Sequence, residues 1–218
     1  MKANKLLVIG MGVLVSSTIL GGMVSADEPT PASSTAIIDL IAGDGTEPPG
    51  PVDPTLPVDP PTGNTGLLTI DAVSNFSFPE TTISGGSNVV DALPPEIGRL
   101  GVQVSDRRGE EIGWNLTVSA TEFIDGDKTL KGAYITIPEG KILGTYGAAP
   151  DLAPTTSSIN LTTTGQTIMQ ASETQGRGSW INAFEEGDSM EKVTLTKPAG
   201  GLVGNYESTL TWTLADAP

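Results

Sequence analysis

The sequence has 218 residues, with 26 acidic and 11 basic side chains and a net charge of −15 at neutral pH. A chain this acidic is repelled by nucleic-acid phosphates and by anionic lipid surfaces, so we exclude nucleic acid as a partner. Cysteine and histidine do not occur in it. This composition excludes disulfides, thiol catalysis, Ser-His-Asp catalysis and the usual zinc sites.

Residues 1–26 have the features of an export signal. Two lysines lie in the first five residues, residues 6–20 are apolar, and a small-residue pattern ends at Ala26. An apolar stretch of this length is shorter than the roughly 20 residues that a membrane-spanning helix needs. We therefore expect cleavage between Ala26 and Asp27 and no membrane insertion of the mature chain; a retained N-terminal anchor is the alternative. Cleavage would leave nine basic and 26 acidic residues, a net charge of −17.

Residues 27–66 precede the main domain and contain two distinct stretches. Residues 36–42, Ala-Ile-Ile-Asp-Leu-Ile-Ala, predict a short strand that packs on the main domain. Residues 43–66 predict an extended, poorly packed linker, because seven of the 17 prolines fall between positions 48 and 61. Four of these prolines recur every three residues, the period of a polyproline II rod. We expect a stiff spacer; a ligand for a partner's groove is the alternative.

Residues 67–218 have the size of one domain with its own core. Short runs of alternating apolar and polar residues fill this region, and clusters of Gly, Pro and Asp separate them. In the clearest runs, Trp114 and Leu116 share one face of a strand, and so do Trp212 and Leu214. The pattern predicts an all-β fold, an antiparallel β-sandwich or a barrel-like domain, preceded by the Pro-rich linker.

The two Trp-x-Leu elements begin about 98 residues apart, and the second ends four residues before the last position. A predicted hairpin over residues 102–109, Val-Gln-Val-Ser-Asp-Arg-Arg-Gly, precedes the first, and Gly-Arg-Gly-Ser-Trp at residues 176–180 lies between them. With the export signal and the proline-rich stretch, these motifs resemble the WxL domain family of Gram-positive surface proteins. The resemblance implies non-covalent attachment to the cell wall, with peptidoglycan or another wall glycan as ligand. It also implies assembly with companion WxL proteins and membrane-anchored WxL-interacting surface proteins.

By matching position, the resemblance assigns the binding-motif roles to Trp114, Leu116, Trp212 and Leu214. Val118 continues the first stripe and is added to the candidate binding residues, and Trp180 and Tyr206 are candidates for additional aromatic contacts. Strand alternation leaves two interpretations open. The stripes are either core residues or an exposed platform that contacts wall sugars or a partner protein. Both interpretations agree with the family, because a motif can be required for binding through the fold.

Other patterns give weaker indications of chemistry. Acidic pairs at 110–111 and 185–188 resemble the two carboxylates of a glycosidase, but adjacent acids in hydrophilic segments are usually solvated. Asp125-Gly126-Asp127 starts like a calcium loop, but Thr136 stands where the twelfth-position Glu belongs. We expect no catalytic residue, metal or cofactor. The predicted function is scaffolding or adhesion at the wall. Docking on a membrane-anchored partner with indirect wall association is the main alternative, and glycan cleavage is the weakest.

Overall fold

The structure is a computed structural model that describes residues 32–145, 147–184 and 191–217. The predicted export signal and its cleavage site at Ala26 and Asp27 lie outside the described residues, as do the acidic residues at 185–188. The chain divides into two units, residues 1–39 and 40–218. Of the first unit, residues 32–39 are described, and they have no regular secondary structure.

Short β-strands make up the second unit. They are β1 (Leu68–Val73), β2 (Asn88–Asp91), β3 (Gly101–Asp106), β4 (Trp114–Ala120), β5 (Ile124–Asp125), β6 (Lys128–Thr129), β7 (Tyr134–Ile137), β8 (Lys141–Gly144), β9 (Thr155–Thr156), β10 (Ile159–Asn160), β11 (Gln166–Ala171), β12 (Gly178–Ala183), β13 (Thr194–Lys197) and β14 (Leu210–Asp216). One 3₁₀ turn, Pro150–Leu152, lies between β8 and β9. No α-helix occurs among the described residues, so within these ranges no helix is long and apolar enough to cross a membrane.

Three four-stranded sheets enclose the main hydrophobic core. The first sheet has the order β1-β3-β12-β8, the second β14-β4-β11-β9 and the third β10-β7-β13-β2, while β5 and β6 form a separate hairpin. Each of these strand pairs is antiparallel. All three sheets contribute apolar side chains to the core, for example Val104, Leu116 and Ile137. The predicted all-β, antiparallel, sandwich-like class is therefore confirmed.

Residues 36–42 do not form the predicted strand. They have no regular secondary structure, and Ile37, Ile38, Leu40 and Ile41 are between 80% and 92% exposed. A strand satisfies its backbone groups through a neighbouring ladder, and β propensity alone does not supply that ladder. The apolar composition of this stretch therefore indicated burial that the structure does not show.

Residues 43–66, which we call the proline-rich segment, are also not the predicted poorly packed linker. Val58 is only 4% exposed and forms a small second core with Ala72, Ile181 and Ala183 of the first sheet. This cluster lies apart from the main core, on the other face of the first sheet. The segment thus covers the side of that sheet which the sequence pattern assigned to solvent.

Hydrogen bonds also attach the proline-rich segment to the first sheet. The Gln103 side chain donates from Nε2 to the Gly50 carbonyl and accepts at Oε1 from the Val52 amide, both at 2.9 Å. The Arg99 guanidinium forms an ion pair of 2.9 Å with Asp53. Because this segment lies over it, β3 is buried on both faces and does not have the exposed polar face that its alternation predicted.

The predicted hairpin over 102–109 is likewise not formed. Strand β3 belongs to the first sheet and β4 to the second, so the intervening residues 107–113 carry the chain from one sheet to the other. A turn-like composition fixes a change of direction but not which strand pairs with which. This crossing brings the first Trp-x-Leu motif onto the second sheet.

Candidate functional site

The two Trp-x-Leu motifs lie on neighbouring strands. Strand β14 runs antiparallel to β4 along its whole length, with Leu214 opposite Leu116 and Trp212 opposite Val118. Trp114 lies opposite Asp216 at the end of the pair. Strand pairing therefore joins motifs that are far apart in sequence into one structural unit.

The first motif is part of the hydrophobic core. Trp114, Leu116 and Val118 are each 0% exposed, and the Trp114 indole Nε1 donates to the Gly176 carbonyl at 3.2 Å. Gly176 has φ 77°, and a Cβ at this position would overlap the indole ring. The core interpretation therefore applies to the first motif, and these three side chains cannot touch a ligand directly. Any effect they have on binding acts through the fold.

Trp180 is also a core residue. It is 3% exposed, and its Nε1 donates to the Arg177 carbonyl at 3.0 Å. Its ring packs in the same core as Trp114. The ring is therefore not available for the direct contact predicted for it.

Arg108 holds together the ends of the two motif strands. Its guanidinium donates to both carboxylate oxygens of Asp106 at 3.0 and 2.8 Å, and to the Gly113 carbonyl at 2.8 Å. It also forms an ion pair with Asp216 at the end of β14. The hydrogen bond to Asp106 raises the pKa of the Arg108 guanidinium further above its usual value. Arg108 thus ties the end of β14 to the turn that precedes Trp114.

The second motif lies at the surface. Strand β14 is at the edge of its sheet, with Trp212 and Leu214 half-buried and the alternating Thr211 and Thr213 exposed. The Trp212 ring stacks on the buried Phe184 ring, with centroids 6.5 Å apart and an interplanar angle of 14°. One side of Trp212 is therefore fixed by the core, while part of the ring remains exposed.

Two adjoining cavities open beside Trp212, and we call them together the aromatic cleft. The smaller, about 280 Å³, is lined by Trp212 and Phe76. The larger, about 800 Å³, is lined by Phe76, Phe78, Phe123 and Tyr206. The two cavities share lining residues, among them Leu210, and therefore lie side by side.

Tyr206 is half-buried in the wall of the larger cavity. Its hydroxyl donates to the Leu202 carbonyl at 3.1 Å, which orients the ring. The structure thus brings two of the predicted aromatic residues, Tyr206 and Trp212, into one cleft. Trp114 and Trp180 lie in the core instead.

Sequence reasoning missed several residues of the aromatic cleft. Phe76 and Phe78 alternate with polar neighbours in Asn-Phe-Ser-Phe, a signal that would have placed both rings on one side of an extended chain. Lys197 also lines the larger cavity. Its position two residues after Leu195 would have placed it on the core-facing side of that strand.

The acidic candidates are found in ion pairs and turns. Glu111 pairs with Arg177 at the surface. Asp125 accepts from Lys128 Nζ at 2.9 Å across the tight turn of the β5–β6 hairpin, where Gly126 has φ 58°. Within the described ranges, no group of three or more acidic side chains could hold a metal ion.

The fold and the motifs together define the class of this protein. It is an antiparallel all-β domain in which two Trp-x-Leu strands pair, one of them buried and the other at a sheet edge. Residues 27–218 match the family described as WxL domain, surface cell wall-binding. The chain therefore belongs to the WxL family, whose domain binds the cell wall at the cell surface. No curated protein and no solved structure matches the chain.

Proposed function

We propose that this protein is exported and held non-covalently on the Gram-positive cell wall by direct binding of peptidoglycan or another wall glycan. Trp212 and the aromatic cleft beside it form the binding site. In this proposal the protein scaffolds or adheres within an extracellular complex and catalyses no reaction. The observation that carries the proposal is the partly exposed Trp212 ring, which stacks on Phe184 and lines the smaller cavity together with Phe76.

The chemistry of the aromatic cleft suits a sugar ligand. The C–H face of a pyranose ring packs against an aromatic ring through dispersion, and a preoriented ring loses little entropy on binding. The larger cavity, about 800 Å³, falls within the range of about 300–1,000 Å³ typical of small-molecule sites. A glycan chain, unlike a flat protein surface, can place single rings into such cavities.

Binding to washed, protein-free sacculi tests this proposal. Trp212→Ala should weaken binding by about 1–3 kcal/mol, the range for an anchor residue at an interface. The matched control is Thr211→Ala, which changes an exposed residue on the opposite face of the same strand and should bind normally. A Trp212→Ala protein that binds sacculi as well as Thr211→Ala would refute the site.

Thermal melting separates the two motifs in the same experiment. Trp114→Ala removes a fully buried ring and should cost about 3–5 kcal/mol of stability, with binding lost only because the domain unfolds. Trp212→Ala should melt closer to the wild type, because the ring is only half-buried. Equal loss of stability in both variants would mean that the second motif is also structural.

A second candidate function, docking on a membrane-anchored surface protein, is favoured by the edge position of β14. This seven-residue strand pairs on one side with β4, and its other side has no strand partner among the described residues. Unpaired strand edges can accept a strand from another protein. Retention on walls that carry surface proteins, with no binding to protein-free sacculi, would support this function against direct glycan binding.

A further inference from the structure

The longest edge strand in the described part of the chain is β14, with seven residues. Its backbone pairs with β4 on one side only. The edge strand of the first sheet, β1, is already covered by the proline-rich segment. There the Val73 amide donates to the Pro60 carbonyl at 3.4 Å, and the Thr62 amide donates to the Asp71 carbonyl at 2.7 Å. Strand β14 therefore presents free amide and carbonyl groups to which a further strand can bind.

Two cavities lie between β14 and β1, and we call them together the β1–β14 groove. One cavity, about 470 Å³, is lined by Ile70 of β1 and Leu214 of β14. The other, about 280 Å³, is lined by Val73 at the end of β1 and by Trp212. All four side chains are partly buried at the margin of the main core. A strand added beside β14 would cover this margin with its core-facing side chains.

Residues 36–42 have the properties of the strand that this edge lacks. Ile37, Ile38, Leu40 and Ile41 are between 80% and 92% exposed, and no backbone hydrogen bond to this stretch occurs among the described residues. The stretch has seven residues, the same number as β14, with one charged side chain and no proline. Segments of this length with high β propensity and low charge pair readily with other strands.

Strand alternation within residues 36–42 defines which side would face the groove. The side that contains Ile38 and Leu40 has only apolar residues, whereas the other side contains Asp39. On β14 the same alternation places Trp212 toward the core and leaves Thr213 exposed. In a strand beside β14, Ile38 and Leu40 would therefore lie in the β1–β14 groove, and Asp39 would lie on the solvent side with Thr213.

We propose that residues 36–42 of one copy add as a strand to β14 of a second copy of this chain. The acceptor is a second copy because these residues remain exposed in the single chain, and each copy carries both the donor strand and the acceptor edge. Addition of an extended segment to an exposed sheet edge is a common mode of protein association. The contact joins two different surfaces, so it repeats from copy to copy and forms rings or open fibres. This inference goes beyond the proposed wall-binding function.

Assembly and wall binding share one residue. Trp212 lines both the β1–β14 groove and the aromatic cleft, so a donor strand would cover part of the proposed wall-binding site. In an open fibre every acceptor edge is filled except the one at one end. That terminal copy keeps its Trp212 accessible to the wall, and the other copies extend from it.

Analytical ultracentrifugation of the chain that starts at residue 27 tests the proposal. The average mass should increase between about 10 µM and 1 mM, because small interfaces of this kind are weak. Leu40→Asp places a charge in the groove and should raise the dissociation constant about tenfold or more relative to Ile41→Asp. Ile41→Asp is the matched control, since it adds the same charge at the next position on the solvent side. Each copy has a net charge of −17, so about 0.5 M NaCl should favour assembly by screening the repulsion.

Engineered cysteines identify the contact, because the chain has no cysteine of its own. Asp39→Cys and Thr213→Cys place one thiol at the centre of each strand on the solvent side, and opposite residues of paired strands are close enough for a disulfide. A mixture of the two proteins, one of them isotope-labelled, should form mixed dimers that mass spectrometry identifies. Thr211→Cys covers a register shifted by two residues. Thr145→Cys, an exposed position after β8 at another sheet edge, is the control and should form none.

Several outcomes would overturn the inference. A wild type that stays monomeric at every concentration would do so, as would equal assembly of Leu40→Asp and Ile41→Asp. Absence of mixed dimers with both Thr211→Cys and Thr213→Cys would also contradict it. A chain that carries Asp39→Cys and Thr213→Cys together and cross-links only within itself would show that the segment occupies its own groove instead. Sacculus binding by the Leu40→Asp protein tests the proposed wall-binding function separately.

Discussion

At the residue scale, Asp71 illustrates what burial under the proline-rich segment does to a charged group. It is 6% exposed, and its carboxylate accepts hydrogen bonds from Ser105 Oγ at 2.6 Å, Gln103 Nε2 at 2.9 Å and Thr69 Oγ1 at 2.6 Å. Burial raises the pKa of Asp71 above its usual value of 3.8, and these hydrogen bonds offset the rise only in part. The charged form is therefore less favourable in the folded protein than in the unfolded chain.

The stability of the protein should carry a pH dependence from Asp71. Since its pKa is higher in the folded state, its contribution to the free energy of unfolding is fully present below 3.8 and is lost as pH rises through the folded pKa. Asp71→Asn removes this titration. The free energy of unfolding of the wild type minus that of Asp71→Asn should therefore decrease as pH rises, as measured by chemical denaturation between about pH 3 and pH 7.

Asp44 provides a control of opposite sign. Hydrogen bonds from Thr46 lower the pKa of this exposed carboxyl, so its contribution is present at higher pH and is lost as pH falls through the folded pKa. The wild type minus Asp44→Asn difference should therefore not decrease with rising pH. A common trend in both variants would contradict the assignment to Asp71.

At the scale of elements, the proline-rich segment functions as a cover for the first sheet. Proline lacks a backbone donor but keeps its carbonyl, and Arg99, which lies two residues before β3, supplies donors to the segment. The Arg99 amide donates to the Pro57 carbonyl at 2.9 Å, and the Arg99 Nε donates to the Leu56 carbonyl at 2.6 Å. The Thr62 amide donates in the other direction, to the Asp71 carbonyl at 2.7 Å. A composition that excludes regular strand pairing is thus compatible with close packing on a sheet.

Two N-terminal truncations should therefore differ sharply in stability. A chain that starts at residue 43 loses only exposed residues of the described part and should melt like the chain that starts at residue 27. A chain that starts at residue 67 uncovers Ile181 and removes Val58, so it should lose about 3–6 kcal/mol from these two aliphatic side chains alone. Thermal melting measures both. Equal melting of the two truncated chains would mean that the proline-rich segment is a linker after all.

At the scale of the whole molecule, an acidic domain is proposed to bind an anionic wall. The chain without residues 1–26 has a net charge of −17. Long-range electrostatics between protein and wall are therefore repulsive, so attachment must come from short-range contacts. The aromatic cleft offers such short-range contacts through its apolar and aromatic lining.

Attachment to the wall should accordingly resist salt. Raising NaCl from about 0.1 M to 1 M shortens the screening length from about 10 Å to 3 Å, which weakens the repulsion, so the bound fraction should stay constant or increase. Urea should release the protein, because it weakens apolar contacts and unfolds the domain. Sedimentation of sacculi with bound protein measures the fraction in each condition. Clean release by NaCl alone would indicate an exposed cationic patch or an ion bridge instead.

The sequence by itself determined the features that follow from short-range periodicity. Alternation placed Trp114 with Leu116, and Trp212 with Leu214, on single strand faces, and the structure confirms both. Many short strands between turn residues indicated the antiparallel all-β class. The spaced Trp-x-Leu motifs indicated the family. The strand faces and the fold class need only a strand's period of two and the preferences of turn residues, which are local properties. The family was indicated by the resemblance of the motifs.

Only the tertiary structure decided which faces are buried. Both Trp-x-Leu motifs have the same local pattern, yet β4 is central and hides Trp114, while β14 is an edge strand and leaves Trp212 partly exposed. The proline-rich segment covers a sheet, and the apolar residues 36–42 do not form a strand. Lys197 lines the larger cavity of the aromatic cleft because separate chain segments pack together there. Burial depends on which distant segments meet, and strand periodicity contains no information about those partners.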